Sequence, residues 1–572
     1  MAVHTASAAL LEACNEAGIA YIFANLGSDH PPLLEALAAA HAEGKPAPRL
    51  ITCPNEMVAL SAAHGHAQIS GRAQAVLVHV ECGTQALGGA IHNAAKGRAP
   101  VLILAGASPF TQEGELPGSR NEFIQWIQDV FDQRGLVRGY MRYDNEIRSG
   151  RNIKQMIHRA LQFAHSNPKG PVYLMAAREV LEEEVPPVAI DAARWRPLAP
   201  AALAPSDATE IAAKLARAKR PLVVTSHLGR NPEAVPRLLE LCRRLGIGVL
   251  DSVPSALNFP AGDPLHQGSQ WNEKAQNPAL AEADLVLVIE SDVPWIPTIN
   301  RPSPAAEIIH IDVDPLKEQM PLWYIGATRS FRADAATALG QILAALENVP
   351  LAPAAIAERL HHYAARHAAR QAAIAARAAG TDGKITGDIL TARLRRHLDA
   401  RTIVLSEGIS HYQTILDQLC LSRPGSLLAS GGGSLGWHGG AAIGVKLARP
   451  DHTVVALTGD GSYMFSVPAS VHWMARRYQT PFLQVIYNNR GWKSPKLSML
   501  ALHPEGFASR AEEIGVSFEP APDYAAIAAA AGGAFARRVT EIAELDDAIA
   551  RAFHAVREEG LAAVLDVAVT PL

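Results

Sequence analysis

Cysteine is scarce in this chain. Of 572 residues only five are cysteine: Cys14, Cys53, Cys82, Cys242 and Cys420. No two of them form a Cys-x-x-Cys pair, so neither a disulfide framework nor a zinc site is expected. Blocks of basic residues are also missing, and the net charge is -4. Nucleic acid and anionic membrane surfaces are therefore not expected partners. No apolar run approaches the roughly 20 residues that a bilayer-spanning helix needs. The N-terminus lacks the positive start of a signal peptide and carries Glu12 early, so a reducing cytoplasm is the expected location. No G-x-G-x-x-G follows a first strand, which speaks against a dinucleotide-binding dehydrogenase.

What is present is the composition of a soluble globular protein, 48% apolar and 19% charged. The length is too great for one core and suggests several domains. Residues 1–185 alternate helical patterns with strand candidates: Y-I-F-A-N, R-L-I-T-C, A-V-L-V-H-V, P-V-L-I-L-A-G and P-V-Y-L-M. That alternation predicts a parallel, doubly wound sheet. A proline-rich linker follows, from E-E-V-P-P-V to A-L-A-P-S-D. A second α/β block spans 206–346, with strands in P-L-V-V-T-S, A-D-L-V-L-V-I-E-S and E-I-I-H-I-D-V-D-P. The alanine-rich stretch from Ala352 to Gly380 reads as a solvated connecting helix. A third block, 382–572, opens with R-T-I-V-L-S-E-G and ends with A-A-V-L-D-V-A-V. The fold class is thus α/β, as three doubly wound parallel-sheet domains.

The third block holds the most informative motif. H-T-V-V-A-L-T-G-D-G-S leads into an amphipathic run, Ala469 to Tyr478, and then P-F-L-Q-V-I-Y-N-N. A right-handed crossover brings both strand ends to one edge of the sheet. Asp460 and Asn489 are therefore expected together at carboxyl ends of neighbouring strands, where open α/β sheets bind ligands. A carboxylate with an amide carbonyl is a hard-oxygen pair suited to Mg²⁺ that also holds a phosphate. Gly459, Gly461 and Ser462 are small enough to let backbone N–H groups approach that phosphate.

This strand, Gly-Asp-Gly, helix, strand, Asn-Asn unit resembles the thiamine diphosphate site of the acetolactate synthase and benzoylformate decarboxylase superfamily. The resemblance runs along nearly the whole chain. N-P-K-G-P-V-Y-L near residue 170 is similar to the end of the family's pyrimidine-binding domain, and I-H-I-D-V-D-P at 309–315 to the end of its central domain. The resemblance implies thiamine diphosphate and Mg²⁺ as cofactors, with Gly491 adding a carbonyl to the metal ligands Asp460 and Asn489. It implies that Glu56, in C-P-N-E-M-V-A-L, bonds the cofactor's pyrimidine; read without the family it is a first-turn glutamate. His79, with the following G-T-Q-A-L-G-G-A-I-H-N-A, is similar to the decarboxylase histidine that relays protons. Ser28, in F-A-N-L-G-S-D-H-P, is similar to the serine that contacts the substrate carboxylate; its other reading is a helix N-cap. Leu435 matches the bulky residue beneath the cofactor and Gly436 its backbone companion. His438 departs from the pattern, and two placements are open for it, the cleft or a subunit interface. Lys493 and its neighbours border the substrate in the family.

N-F-P-A-G-D-P-L-H-Q-G-S-Q lacks the family's glycine-rich flavin stretch, so FAD is not expected. His310, Asp312 and Asp314 are similar to strand-end residues of a vestigial nucleotide fold. The implied activity is decarboxylation of a 2-oxo acid through a carbanion at thiazolium C2, with acetolactate synthase-like carboligation as the first reading. Simple benzoylformate-like decarboxylation is the alternative. A 2-hydroxyacyl-CoA lyase or a non-catalytic relative ranks behind both. Because Glu56 and Asp460 belong to different domains, which the family supplies from different subunits, a homodimer at least is implied, and a homotetramer is expected.

Overall fold

The structure, a computed structural model, describes residues 3–273, 275–323, 325–380 and 383–571. Its frame is three six-stranded sheets, each wholly parallel. The first holds β1 (Tyr21–Ala24), β2 (Arg49–Thr52), β3 (Ala75–Val78), β4 (Leu102–Ala107), β5 (Tyr143–Glu146) and β6 (Val172–Ala177), in the order β2-β1-β3-β4-β6-β5. The second holds β7 (Pro221–Thr225), β8 (Gly248–Ser252), β9 (His266–Gln270), β10 (Leu285–Ile289), β11 (Glu307–Asp312) and β12 (Arg329–Arg332), ordered β12-β11-β10-β7-β8-β9. The third holds β13 (Thr402–Glu407), β14 (Leu427–Leu428), β15 (Thr453–Gly459), β16 (Leu483–Asn488), β17 (Phe535–Val539) and β18 (Ala563–Ala568), ordered β14-β13-β15-β16-β18-β17. Central strands such as β3, β10 and β16 are buried along their length. Parallel strands covered on both faces need such continuous apolar runs.

Two helices fasten the first domain to the third. Helix Glu56–Ser70 starts where the Asn55 side chain accepts the Val58 N–H at 3.2 Å and stops at Gly71, whose φ is 72°. Helix Trp437–Ala448 starts after Gly436. Where they cross, glycine removes the side chains that would keep the backbones apart. A Cβ on Gly444 would lie 1.9 Å from the Ala62 carbonyl oxygen, and one on Gly440 2.6 Å from that of Val58. The packing is continuous: Phe23, Ile51, Val76 and Ile103 of the first sheet share one apolar cluster with Ile403, Leu405, Val454 and Ala456 of the third. The central domain has separate cores of its own, on either side of its sheet.

The alanine-rich segment forms helix Pro353–Ala379, but it is not merely solvated. Arg359 and Tyr363 on it are buried. Arg359 donates to the Ala218 carbonyl at 2.7 Å, and the Tyr363 hydroxyl donates to that of Pro221 at 2.8 Å. Leading helix Pro205–Arg217 into β7, that region gains a lid that alanine spacing alone did not reveal.

Candidate active site at two strand edges

In the first domain, the loops at the carboxyl ends of β2, β1, β3 and β4 converge. Glu56 opens the helix after β2, buried, and its Oε1 accepts a hydrogen bond from Asn25 Nδ2, just past β1, at 2.7 Å. Close by is Gly83, where a Cβ would lie 3.4 Å from Glu56 Oε1. His79 follows β3 directly. Its Nδ1 lies 2.6 Å from Asp29 Oδ1 and its Nε2 2.9 Å from Gln128 Oε1. The bond to Asp29 raises the His79 pKa above the ordinary histidine value, against the burial that opposes it. Burial works against the charge of Asp29, but its bond to His79 and the nearby His30 outweigh it and hold the carboxyl low. Ser28 sits in the same turn, and its carbonyl accepts from Arg178 at 3.2 Å. Ser28 is not the N-cap of the next helix: that position belongs to His30, because Pro31 and Pro32 begin the helix.

The third domain offers the second edge. Asp460 begins a short helix directly after β15. Its Oδ1 accepts the Gly461 N–H at 2.9 Å and its Oδ2 the Gly491 N–H at 3.0 Å. Asn489 Oδ1 accepts that same Gly491 N–H at 3.3 Å. Asp460 and Asn489 thus converge on one donor. Burial pushes the Asp460 carboxyl up to about 6. A buried carboxylate whose charge is disfavoured, beside the Asn489 amide oxygen, fits a hard divalent cation, which would restore the charge; Gly491 turns its N–H to this pair, while its carbonyl accepts the Lys493 N–H at 3.0 Å. Among the described residues no group of three His, Cys, Asp or Glu side chains could hold a metal, so any cation here relies on this mixed oxygen set. The preceding residue, Asn488, faces the other way and donates to Asp566 at 2.8 Å.

Glycine shapes the cradle. A Cβ on Gly461 would fall 2.3 Å from the Trp492 ring, whereas Gly459 faces open space. Ser462 is buried in the first turn of the helix. Gly436 has φ 90°, and a Cβ there would strike the Phe465 carbonyl at 2.6 Å. Leu435 beside it is half-buried. The preceding residue, Ser434, is clasped by Asn93 of the first domain, with bonds of 2.9 and 3.0 Å.

His438 takes neither placement left open by the sequence. It is fully buried within the third domain, its N–H 2.8 Å and its Nδ1 2.9 Å from Glu407 Oε2, with Gln484 on Nε2. Glu407, at the end of β13, also accepts the Gly436 N–H, so its carboxylate caps the start of the helix that follows. Lys493 opens helix Lys493–Leu502, and burial pulls its ammonium down to about 8. Sequence reasoning missed Asp29, Gln128 and Glu407. Asp29 stands next to Ser28, but its signal is a contact with a residue 50 positions away.

The strand ends of the central sheet carry ion pairs. Arg98 of the first domain reaches Asp312 at 3.0 Å and Asp292 at 3.2 Å. Lys317 reaches Asp312 at 2.6 Å, and His310 stacks on Trp323. A cavity of about 430 Å³ opens beside this network, lined by residues of all three domains.

Comparison with known proteins identifies the three units. Residues 4–136 match the family model "Thiamine pyrophosphate enzyme, N-terminal TPP binding domain", 208–339 its central domain and 408–567 its C-terminal TPP binding domain. A benzoylformate decarboxylase of Pseudomonas aeruginosa is 26% identical over 499 residues, covering 85% of this chain and 86% of the relative. A probable acetolactate synthase large subunit of Methanocaldococcus jannaschii is 24% identical, covering 84% and 80%. The fold is that of the thiamine diphosphate-dependent 4-hydroxybenzoylformate decarboxylase of Rhodococcus jostii RHA1, with a TM-score of 0.77 at 21% identity, covering 100% of this chain and 99% of that one. Benzoylformate decarboxylase from Polynucleobacter necessarius gives 0.78 at 18% identity, covering both chains fully. The chain belongs to the thiamine diphosphate-dependent 2-oxo acid decarboxylase/carboligase superfamily and is an enzyme of that class.

Proposed function

We propose that this enzyme decarboxylates a 2-oxo acid and releases an aldehyde, using thiamine diphosphate and Mg²⁺. The observation that carries the decarboxylase reading is His79, set at the carboxyl edge of the first sheet between two oxygen acceptors, Asp29 and Gln128. A histidine so held is ready to donate a proton. Asp460, Asn489 and the Gly491 carbonyl would hold the cation, and Gly459, Gly461 and Ser462 the diphosphate. Glu56 would hold the pyrimidine, with Leu435 and Gly436 on its other flank. The cofactor, when bound, supplies the nucleophilic carbon and the electron sink. The chain's own work is then positional and acid–base. Ser28 orients the substrate carboxylate, and His79 delivers the proton that completes the aldehyde.

A second reading, carboligation onto a second carbonyl compound, is favoured by the relatives named as acetolactate synthases. A screen of 2-oxo acids with added thiamine diphosphate and Mg²⁺ separates the two. Aldehyde formed in step with CO₂ supports decarboxylation; a 2-hydroxy ketone or 2-hydroxy-2-methyl-3-oxo acid formed instead supports carboligation.

The reading extends to assembly. Within one chain, Glu56 bonds inside the first domain and Asp460 inside the third. Phe123, Ile127 and Phe131 lie exposed near the first edge, and Phe465 and Phe507 near the second. A second copy of the chain is the occupant proposed for these surfaces, giving a homodimer at least and a homotetramer at higher order. Flavin has no proposed role, since N-F-P-A-G-D-P-L-H-Q-G-S-Q lacks the family's glycine-rich flavin stretch. A cytoplasmic location completes the reading; among the described residues no helix is long and apolar enough to cross a membrane.

A further inference from the structure

Asp29 is built into the first domain at some cost. Its carboxylate is buried, which is unfavourable unless both oxygens are satisfied. Oδ1 meets His79 Nδ1 at 2.6 Å, Oδ2 accepts the Val80 N–H at 3.0 Å, and His30 Nε2 lies 3.3 Å from Oδ2. Two glycines make the room. A Cβ on Gly106 of β4 would lie 1.6 Å from Asp29 Oδ2, and one on Gly27 would lie 2.1 Å from His79 Nδ1. Val80 has φ 30°, a conformation that a β-branched residue rarely adopts. Such strain persists where surrounding contacts enforce it, and the Asp29 bond to the Val80 N–H is one of them. The carboxylate, the ring, two missing side chains and a strained turn are all arranged around one hydrogen bond.

A carboxylate can only accept, so Nδ1 of His79 must carry a proton in every state of the ring. The proton that comes and goes then sits on Nε2, which faces the Gln128 side chain. The backbone of Gln128 is itself tethered, its main-chain carbonyl accepting from Ser108 Oγ at 2.8 Å just past β4. We propose that Asp29 is a positioning residue: it fixes the Nδ1–H tautomer of His79 and makes Nε2 the single nitrogen that exchanges protons with substrate. This rests on the reading of His79 as the proton carrier. The charged or titratable groups around the ring are Asp29 and His30 from the loop after β1 and Glu81 from its own helix. Of these Asp29 alone bonds the ring.

The test is Asp29→Asn, which keeps the shape and removes the charge. Histidine ring ¹⁵N spectra, assigned by difference against His79→Ala, should show Nδ1–H in the parent and loss of that preference in the variant. The limb of the kcat/KM profile that belongs to His79 should move to lower pH, because a raising influence is gone. Turnover should fall about 10²–10⁴-fold, the range of a general acid–base contribution. Asp29→Glu should restore part of the limb. If Asp29→Asn does not fold, Gly106→Ala serves, since its new methyl must displace the carboxylate while leaving every polar group present. An unchanged tautomer and unchanged pH profile in either folded variant would overturn the proposal. His79→Ala keeps the two ideas apart: full turnover there removes the proton-carrier reading, while the ¹⁵N result still judges what Asp29 does to the ring.

Discussion

Asp460 sets a pH dependence that can be worked out in advance. An unfolded aspartate titrates near 3.9, and burial lifts this one to about 6. The folded state therefore binds the proton more tightly than the unfolded state. The metal-free protein should lose stability as pH rises from about 4 to about 6, by something on the order of 3 kcal/mol at most, and stay at the lower level above that. Denaturant melts at pH 5 and pH 7 should show the loss, and Asp460→Asn should flatten it. Cation binding needs the carboxylate ionised, so calorimetry in buffers of different ionisation enthalpy should detect proton release on Mg²⁺ binding at pH 5.5. Asp460→Ala should lose retention of thiamine diphosphate in Mg²⁺ buffer; unchanged affinity would remove this residue from the cofactor site. Much of this edge was legible in the chain, because Gly-Asp-Gly and Asn-Asn are local signals at strand ends. Asp29 and Glu407 were not. Each does its work through a partner distant in sequence, and a carboxylate in a loop gives no sign of which side chain it will meet.

At the scale of elements, the decisive contact is the crossing of helices Glu56–Ser70 and Trp437–Ala448. Gly444→Ala would place a methyl inside the space of the Ala62 carbonyl. The helices must separate, at about 1–3 kcal/mol or more. Thermal melting should show the drop, while Gly459→Ala, which faces open space, should leave the melt nearly unchanged. The strands that were readable from sequence are those with continuous apolar runs, such as Val454 to Leu457 in β15. Those that were missed lie mostly at sheet edges. Tyr143–Glu146 and Arg329–Arg332 carry polar, partly exposed side chains, and β14 has only two residues. An edge strand has one neighbour and less to bury, so composition alone does not mark it. His266–Gln270, another edge, is polar yet mostly buried, because helix Pro353–Ala379 covers it and His367 bonds its backbone at 2.8 Å.

For the whole molecule, a second copy is the proposed partner. Light scattering should give a dimer or tetramer, and Phe131→Asp should shift the population toward monomer with loss of turnover; an active monomer would contradict the assembly. The purified protein should also be colourless in the visible region, and flavin released on denaturation would refute the reading of the central domain. One further property follows from the apolar cluster shared by the first and third sheets. Neither of those domains owns all the interior it depends on, whereas the cores of the central domain are its own but for Leu257, which packs in a cluster of the third. The outer two should therefore melt as one cooperative block and the middle one as another, though it lies between them in sequence. Differential scanning calorimetry should resolve two transitions rather than three. Residues 1–185 produced alone should expose half of a core and collect in the insoluble fraction.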